Sequence, residues 1–416
     1  MEQDPLFPQK KGMFQAVPSS VKWLIYLTFP SSVAIGYIVI FISAYYAEIE
    51  ELKPHIGLLL MVMGVSAILF AIPFGILADR IGRKPLLVIG FAAIPFITLV
   101  FGLTQDLTLL IVASVATGIV ESAFLSSWNA LIADQTDDKN RVAAFSLSFI
   151  VGTASFGIGM ALPFLFPSVE DLTGFDSATV HESTVLLLAP VSALSPILLW
   201  FLLRDYKEVL HERPKLLRSK NMKPLMKFSL INSIVGLGAG FIIPLIGLWL
   251  YEEFRVEDEF SGPLLALSSV TMGLAAFASP RLSGKYGFIN AIVMVQGVST
   301  MFMLSIVFMP TAILASSFYL VRAALMNMAS PMMDTVMMGL VAKEERGFAS
   351  AVNSIIWRLP NSASTFFGGL LIVGGNSDLA FYIATALYAT GITLFYFTFR
   401  DLKISTEASP TSVVDS

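Results

Sequence analysis

Twelve times along the chain a long apolar run gives way to a short polar turn. Runs of about twenty apolar residues cross a bilayer as one helix. They fall near 22–46, 55–79, 85–104, 107–133, 142–166, 184–204, 224–251, 260–280, 287–308, 311–341, 347–373 and 377–399. Their length and continuity predict helices rather than the short alternating strands of a barrel. The turns between them sort by charge. Lys10, Lys11 and Lys22 precede the first span, and Arg80, Arg83 and Lys84 follow the second. Lys139 and Arg141 follow the fourth, and Arg204 to Lys227 holds eight basic residues around the middle loop. Arg281 and Lys285, Lys343 and Arg346, and Arg400 and Lys403 continue the series. The alternate turns hold only Lys53 and Arg255 and are otherwise acidic, with Glu48, Glu50, Glu51, Glu170, Asp171, Asp176, Glu252, Glu253, Glu257, Asp258 and Glu259. By the positive-inside rule both termini and the middle loop are expected in the cytoplasm, in a multi-pass protein of the plasma (inner) membrane.

Composition agrees with this pattern. Of 416 residues 56% are hydrophobic and 13% charged, with mean hydropathy +0.77. Soluble domains carry roughly a quarter charged residues, so this chain lacks the polar surface that a water-soluble globule needs. Net charge is −4, and its distribution says more than its sum. There is no cysteine, which excludes a disulfide framework, a thiolate metal site and a cysteine nucleophile. The three histidines, His55, His181 and His211, fall in or beside expected turns. Met1 to Ser20 is polar with no apolar core, so the first span is expected to be retained rather than cleaved as a signal peptide. No phosphate-binding Gly-x-x-x-x-Gly-Lys-Ser/Thr loop occurs, so ATP coupling within the chain is not expected. No Ser/His/Asp group or His-x-x-x-His lies inside the spans. An enzyme is therefore not expected, nor a metal, a cofactor or a nucleic-acid partner.

The two halves repeat. Leu77-Ala78-Asp79-Arg80-Ile81-Gly82 returns, decayed, 205 positions later as Leu282-Ser283-Gly284-Lys285-Tyr286-Gly287. Arg141 returns as Arg346 at the same offset, and Asn129 as Asp334. The expected organisation is a six-helix half over 1–204, a cytoplasmic linker over 205–222, a second six-helix half over 223–400 and a disordered cytoplasmic tail over 401–416.

The stretch Gly75 to Leu87 reads GILADRIGRKPLL. Its pattern Gly-x-Leu-x-Asp-Arg-x-Gly-Arg-Lys resembles the loop between helices 2 and 3 of the major facilitator superfamily. The resemblance extends over nearly the whole chain and implies that family's fold, an all-α membrane protein of twelve helices in two pseudo-symmetric six-helix bundles. It also implies alternating access around a midplane site lined by helices 1, 4, 7 and 10. In that family the loop aspartate contacts the start of helix 11 and holds the cytoplasmic side shut. Carried over, Asp79 meets the partly positive N-terminus that begins after Arg346. Arg83 fixes the loop, Gly75 and Gly82 permit close approach and a tight turn, and Arg80 and Lys84 complete the motif. Two departures stand out. Helix 5 carries Gly152, Gly157 and Gly159 with Pro163 displaced from the antiporter pattern, and Ser114 and Thr117 are neutral where many drug exporters carry an arginine.

Charged side chains deep in a bilayer face a cavity or a partner. Glu121 lies mid-way along the fourth span, Arg322 and Arg358 in the tenth and eleventh, and Asp334 in the cytoplasmic half of the tenth. Glu121 and Arg322 are expected to face each other from opposite halves. Burial disfavours an ionised carboxylate and a nearby arginine favours it, so an arginine that moves during rocking would make Glu121 a proton carrier. The plainer reading is a structural ion pair. Arg322 either binds an anionic substrate or neutralises Glu121. Arg358, beside Pro360 and Asn361, is expected to be structural at a kink. Asn129 and Asp334 suit a network near the cytoplasmic mouth. Trp128 and Tyr37 either stack on a substrate or pack. Six methionines in the tenth span, from Met326 to Met338, suit an adaptable apolar surface or plain packing. Together these features point to a monomeric secondary transporter of a small molecule. Proton-coupled export of an amphipathic compound leads. Uptake or exchange of an organic anion, or a non-transporting membrane sensor, are the alternatives.

Overall fold

A computed structural model describes residues 13–137, 140–204, 206, 222–275, 278–341 and 345–402. Its twelve principal helical spans are α1 (Ser19–Glu48), α2 (Ile56–Ile81), α3 (Arg83–Leu103), α4 (Leu107–Asp134), α5 (Arg141–Ala161) and α6 (Ser177–Leu202). The second six are α7 (Met222–Phe254), α8 (Asp258–Ala275), α9 (Phe288–Ile306), α10 (Ala312–Gly339), α11 (Arg346–Val373) and α12 (Ser377–Phe399). Ten of the twelve are long and apolar enough to cross a membrane. The exceptions are α8 and α11, and α11 carries Asn353, Arg358 and Asn361 within its length.

Helix starts follow local chemistry. Asp106 caps α4 by accepting the Leu109 N–H at 3.0 Å. Asp176 caps α6, accepting the Thr179 N–H at 3.2 Å and the Thr179 hydroxyl. The hydroxyl bond first and the amide second hold the Asp176 carboxyl below its ordinary range. This cap starts α6 at Ser177 rather than near 184, so His181 is helical instead of lying beside a turn. The α2–α3 turn pivots on Gly82 at φ 96° and ψ 161°, and its counterpart Gly287 adopts φ 77° and ψ 161°. These are backbone conformations that a side chain resists. The same turn thus occurs in both halves.

Among the described residues, α1, α7 and α10 depart from regular α-helix. α1 contains a π-helical turn over Phe41–Tyr45. α7 is interrupted after Gly240, where Pro244 cannot donate to the preceding turn. α10 breaks at Ala329 ahead of Pro331, and the Ser279 hydroxyl donates to the Met328 carbonyl at 2.6 Å.

The packing repeats as the sequence does. In the first half α1 packs on α5 and α6, α2 on α4, and α3 on α4 and α6. In the second, α7 packs on α11 and α12, α8 on α10, and α9 on α10 and α12. The halves meet where α2 packs on α11 and α5 on α8, a pair of contacts that a two-fold exchange of the halves maps onto each other. α7 begins at Met222, the last residue assigned to the linker. The remainder of that segment (205 and 207–221), and the tail from 403 onward, lie outside the described residues.

Candidate substrate cavity

The halves are sealed at their acidic end. Lys53 bridges Glu50 at 2.9 Å and, across the halves, Glu252 at 3.1 Å. A Cβ added at Gly247 of α7 would stand 2.8 Å from the Ser43 carbonyl and 3.0 Å from the Ala44 methyl of α1. One added at Gly57 of α2 would stand 2.8 Å from the Thr365 carbonyl of α11. Toward the basic end, a Cβ added at Gly75 of α2 or at Gly284 would meet no heavy atom within 4 Å.

Between the halves lies a cavity in two lobes. The first, about 840 Å³, is walled chiefly by apolar side chains of the first half, including Ile35, Ile38, Phe91 and Phe124, with Glu121 among them. The second, about 500 Å³, belongs to the second half and takes in Arg322, Asp334, Asn353, Arg358, Asn361 and Tyr388. Met272, Asn327 and Ser330 border both.

Glu121 does not pair with Arg322. Its Oε1 accepts from Arg358 Nη1 of α11 at 2.6 Å, an ion pair across the halves. Both side chains remain substantially accessible, 41% for Glu121 and 39% for Arg358. Arg358 is therefore a wall residue of the cavity, not only a kink residue. The kink chemistry falls to Asn361, whose Nδ2 donates to the Gly236 carbonyl of α7 at 3.1 Å. A Cβ at Gly240 would overlap the Asn361 carbonyl, so glycine is what lets α7 approach α11.

Arg322 points away from Glu121 into its own half. It is 3% exposed, donates from Nη2 to the Tyr388 hydroxyl at 2.5 Å, and lies 5.3 Å from that ring's centroid. Its Nε is buried without a hydrogen-bond partner. A guanidinium fixed this way holds positive charge against the second lobe with one donor unused.

The two aromatic candidates are packing residues. Trp128 Nε1 donates to the Ser148 hydroxyl at 2.8 Å and its ring stacks on Phe124. Tyr37 is fully buried, with its hydroxyl 2.9 Å from His181 Nδ1. Asp334 is exposed on the second lobe, and Asn129 is exposed on α4. Among the methionines, Met326, Met333 and Met337 border the second lobe, while Met332 lies in the core.

The basic motif is held within the first half. Arg83 pairs with Asp134 of α4. Lys84 donates to the Leu203 carbonyl and, at 3.3 Å, to that of Arg204, and sits 5.1 Å from the Trp200 ring centroid. Arg80 and Arg346 are exposed, and the Asp79 side chain lies outside the described residues.

Known proteins share this sequence pattern and fold. The sequence profile of the Major Facilitator Superfamily matches residues 24–365. The multi-drug resistance efflux pump PmrA of Streptococcus pneumoniae is 24% identical over 62% of this chain and 63% of its own length. The class C tetracycline resistance protein of Escherichia coli is 27% identical over 59% of this chain and 61% of its own length. In both, the match spans less than two thirds of the relative. Multidrug resistance protein 1 of Bacillus subtilis is 24% identical over 82% of this chain and 86% of its own length. Among solved structures, a bacterial homologue of the human lysosomal transporter Spinster, in an inward-facing and unoccupied conformation, superposes with TM-score 0.69. It is 14% identical over 94% of this chain and 98% of its own length.

Proposed function

We propose, from the premise that the chain belongs to the Major Facilitator Superfamily and is a multi-pass membrane transporter of small molecules, that it exports a small amphipathic compound by alternating access coupled to protons. The observation that carries this reading is the first lobe, about 840 Å³ of mostly apolar wall with a single carboxylate, Glu121, on it. A pocket of that character takes up an apolar body and orients it with few polar groups. The relative PmrA, a multi-drug resistance efflux pump, favours the same direction of transport.

On this reading the basic end, opposite the sealed acidic end, faces the cytoplasm of a plasma-membrane protein. The cavity is then loaded from inside, and rocking of the halves about the α2–α11 and α5–α8 contacts releases the compound outside. Glu121 joins charge to this motion. Its pair with Arg358 links the halves, and a proton on Glu121 removes the negative charge that holds Arg358. Asp79 acts in the opposite state, meeting the start of α11 when the basic end closes.

A second reading, exchange of an organic anion, is favoured by one observation, the unused Nε of buried Arg322 beside the second lobe. A thermal-shift panel on the detergent-purified protein separates the two, since a ligand that prefers the folded state raises its melting temperature. Stabilisation by lipophilic cations such as tetraphenylphosphonium, lost in Glu121→Gln, supports export of amphipathic compounds. Stabilisation by organic anions such as benzoate, lost in Arg322→Ala, overturns it in favour of the second reading.

A further inference from the structure

A polar cluster lies at the acidic end, apart from the cavity, and the transport scheme above leaves it unused. His181 of α6 is 1% exposed and Asp258 of α8 is 4% exposed. His181 Nε2 and Asp258 Oδ2 stand 3.5 Å apart across the two halves, and neither has a hydrogen-bond partner. The other ring nitrogen, Nδ1, faces the Tyr37 hydroxyl. Aromatic walls exclude water around the imidazole. Tyr45 stacks on it with centroids 3.6 Å apart, and Phe166 and Phe41 meet it edge-on at 4.7 and 5.6 Å. The π-helical turn of α1 presents Phe41 and Tyr45 to this site, as such turns often do where function resides. One helical turn on, the Glu48 carboxylate faces the Asp258 backbone N–H, and its Oε1 is buried without a partner. The hydroxyls of Ser43 and Ser261 are likewise buried and unpartnered.

We propose that His181, Asp258 and Glu48 form a proton-binding site that latches the acidic end of the two halves shut. His181 and Glu48 belong to the first half and Asp258 to the second. Separating the halves at this end and wetting the cluster are therefore one event. In the sealed state two carboxylates and one imidazole share a dry compartment, where unbalanced charge is costly. An imidazolium balances one carboxylate, and the second is neutral only as the acid. The sealed cluster holds protons that the wetted cluster gives up to water. Neighbouring charge pushes the same way. Asp176 and Glu182 at the start of α6 and Glu257 and Glu259 beside Asp258 surround it with negative potential, and Glu170 after α5 adds to it at Glu259. The described cations at this end are Lys53, held by Glu50 and Glu252, and exposed Arg255 near Glu252. Because the closed end binds more protons than the open end, closure is favoured as pH falls and opening as pH rises. The proposal rests on the alternating-access reading, and in an exporter it lets protons from outside close the outer end once substrate has left.

The natural absence of cysteine makes the test direct. Ala44→Cys places one thiol at a buried position that packs on Gly247 of the opposite half. Ala178→Cys supplies an exposed thiol at the same end. The ratio of their N-ethylmaleimide labelling rates, taken on detergent-purified protein between about pH 5 and about pH 9, cancels the pH dependence of thiol chemistry itself. The ratio is expected to rise with pH, by up to about tenfold per unit for each proton linked to opening. In the double variant Asp258→Asn/Glu48→Gln the rise with pH is expected to be lost. In His181→Gln, which strands both carboxylates, the ratio is expected to be higher than in the parent at each pH. If the double variant does not elute as a single species, Glu48→Gln alone gives the same comparison with a reduced slope. A ratio that is measurable but flat with pH in the parent, or a slope that survives in the double variant, overturns the proton latch and leaves alternating access standing. A thiol at position 44 that never labels, in any variant, overturns both.

Discussion

Glu121→Gln tests how much the Glu121–Arg358 ion pair bordering the cavity is worth. The pair is short, 2.6 Å, but its side chains are 41% and 39% accessible. Water and salt screen it, and accessible pairs contribute about 0.2–1 kcal/mol. The equivalent change in a conformational equilibrium is about 1.4- to 5-fold. The glutamine keeps the shape and loses the charge, so the population open at the basic end is expected to fall by no more than that factor. Spin labels on Ile76→Cys of α2 and Ser350→Cys of α11, one on each half near the basic end, report the two populations as two distances. Arg358→Gln is expected to give a shift of the same sign and similar size, and the double variant little more, because the pair is one interaction. A shift above about tenfold, or opposite signs for the two single variants, refutes the screened-pair reasoning. The size also bears on coupling. A transport defect of a hundredfold beside a population shift of about fivefold means that Glu121 does more than tie the halves together.

Three further outcomes follow from local geometry. Tyr388→Phe removes the hydroxyl that accepts from buried Arg322, a bond to a charged group worth about 1.5–3 kcal/mol. The melting temperature should drop by several degrees, and an unchanged melt refutes the assignment. Gly82→Ala forces a side chain into φ 96° and should cost about 1–3 kcal/mol. Gly75→Ala, with nothing within 4 Å of the new methyl, should be neutral or stabilising by under about 1 kcal/mol, so equal losses in the two melts contradict the turn geometry. Asp176→Ala removes the cap of α6 and should lower the melting temperature at neutral pH. Because the Asp176 carboxyl is held below its ordinary range, the difference from the parent is present above about pH 4 and closes as pH falls through the depressed value.

The membrane architecture could be read from hydropathy because a spanning helix needs a continuous apolar run whatever it packs against. The repeat could be read because two turns kept their glycines, and Gly82 and Gly287 share a backbone conformation that few other residues accept. The partner of Glu121 could not. Choosing between Arg322 and Arg358 needs the rotation of each helix about its axis. In a spanning helix nearly every face is apolar, so the periodicity that reports rotation in a soluble helix is faint. Arg322 and Arg358 look alike in sequence, yet one is sealed against Tyr388 and the other reaches across the cavity.

The cluster at the acidic end was hidden for a different reason. His181 sits among Ser177, Thr179, Glu182, Ser183 and Thr184, a stretch whose polarity imitates a turn, and Glu48 and Asp258 belong to turns whose acids suit water. The one local sign was Asp176 three residues before Thr179, a capping pattern that starts a helix early enough to include His181. Asp258 comes against His181 and Glu48 only when the two halves touch. A hydropathy profile treats the polar ends of every span as solvated, but in a protein whose halves close on each other at one end, those ends form an interface. Polar residues that seem to belong to loops are then the ones with the most to lose when the interface forms dry. Several of them carry atoms without hydrogen-bond partners, on His181, Asp258, Glu48, Ser43 and Ser261 together at the acidic end. Native interiors rarely tolerate such a concentration of unsatisfied groups. It is the expected signature of an interface that must also come apart, since a fully bonded seam would hold the halves in one state.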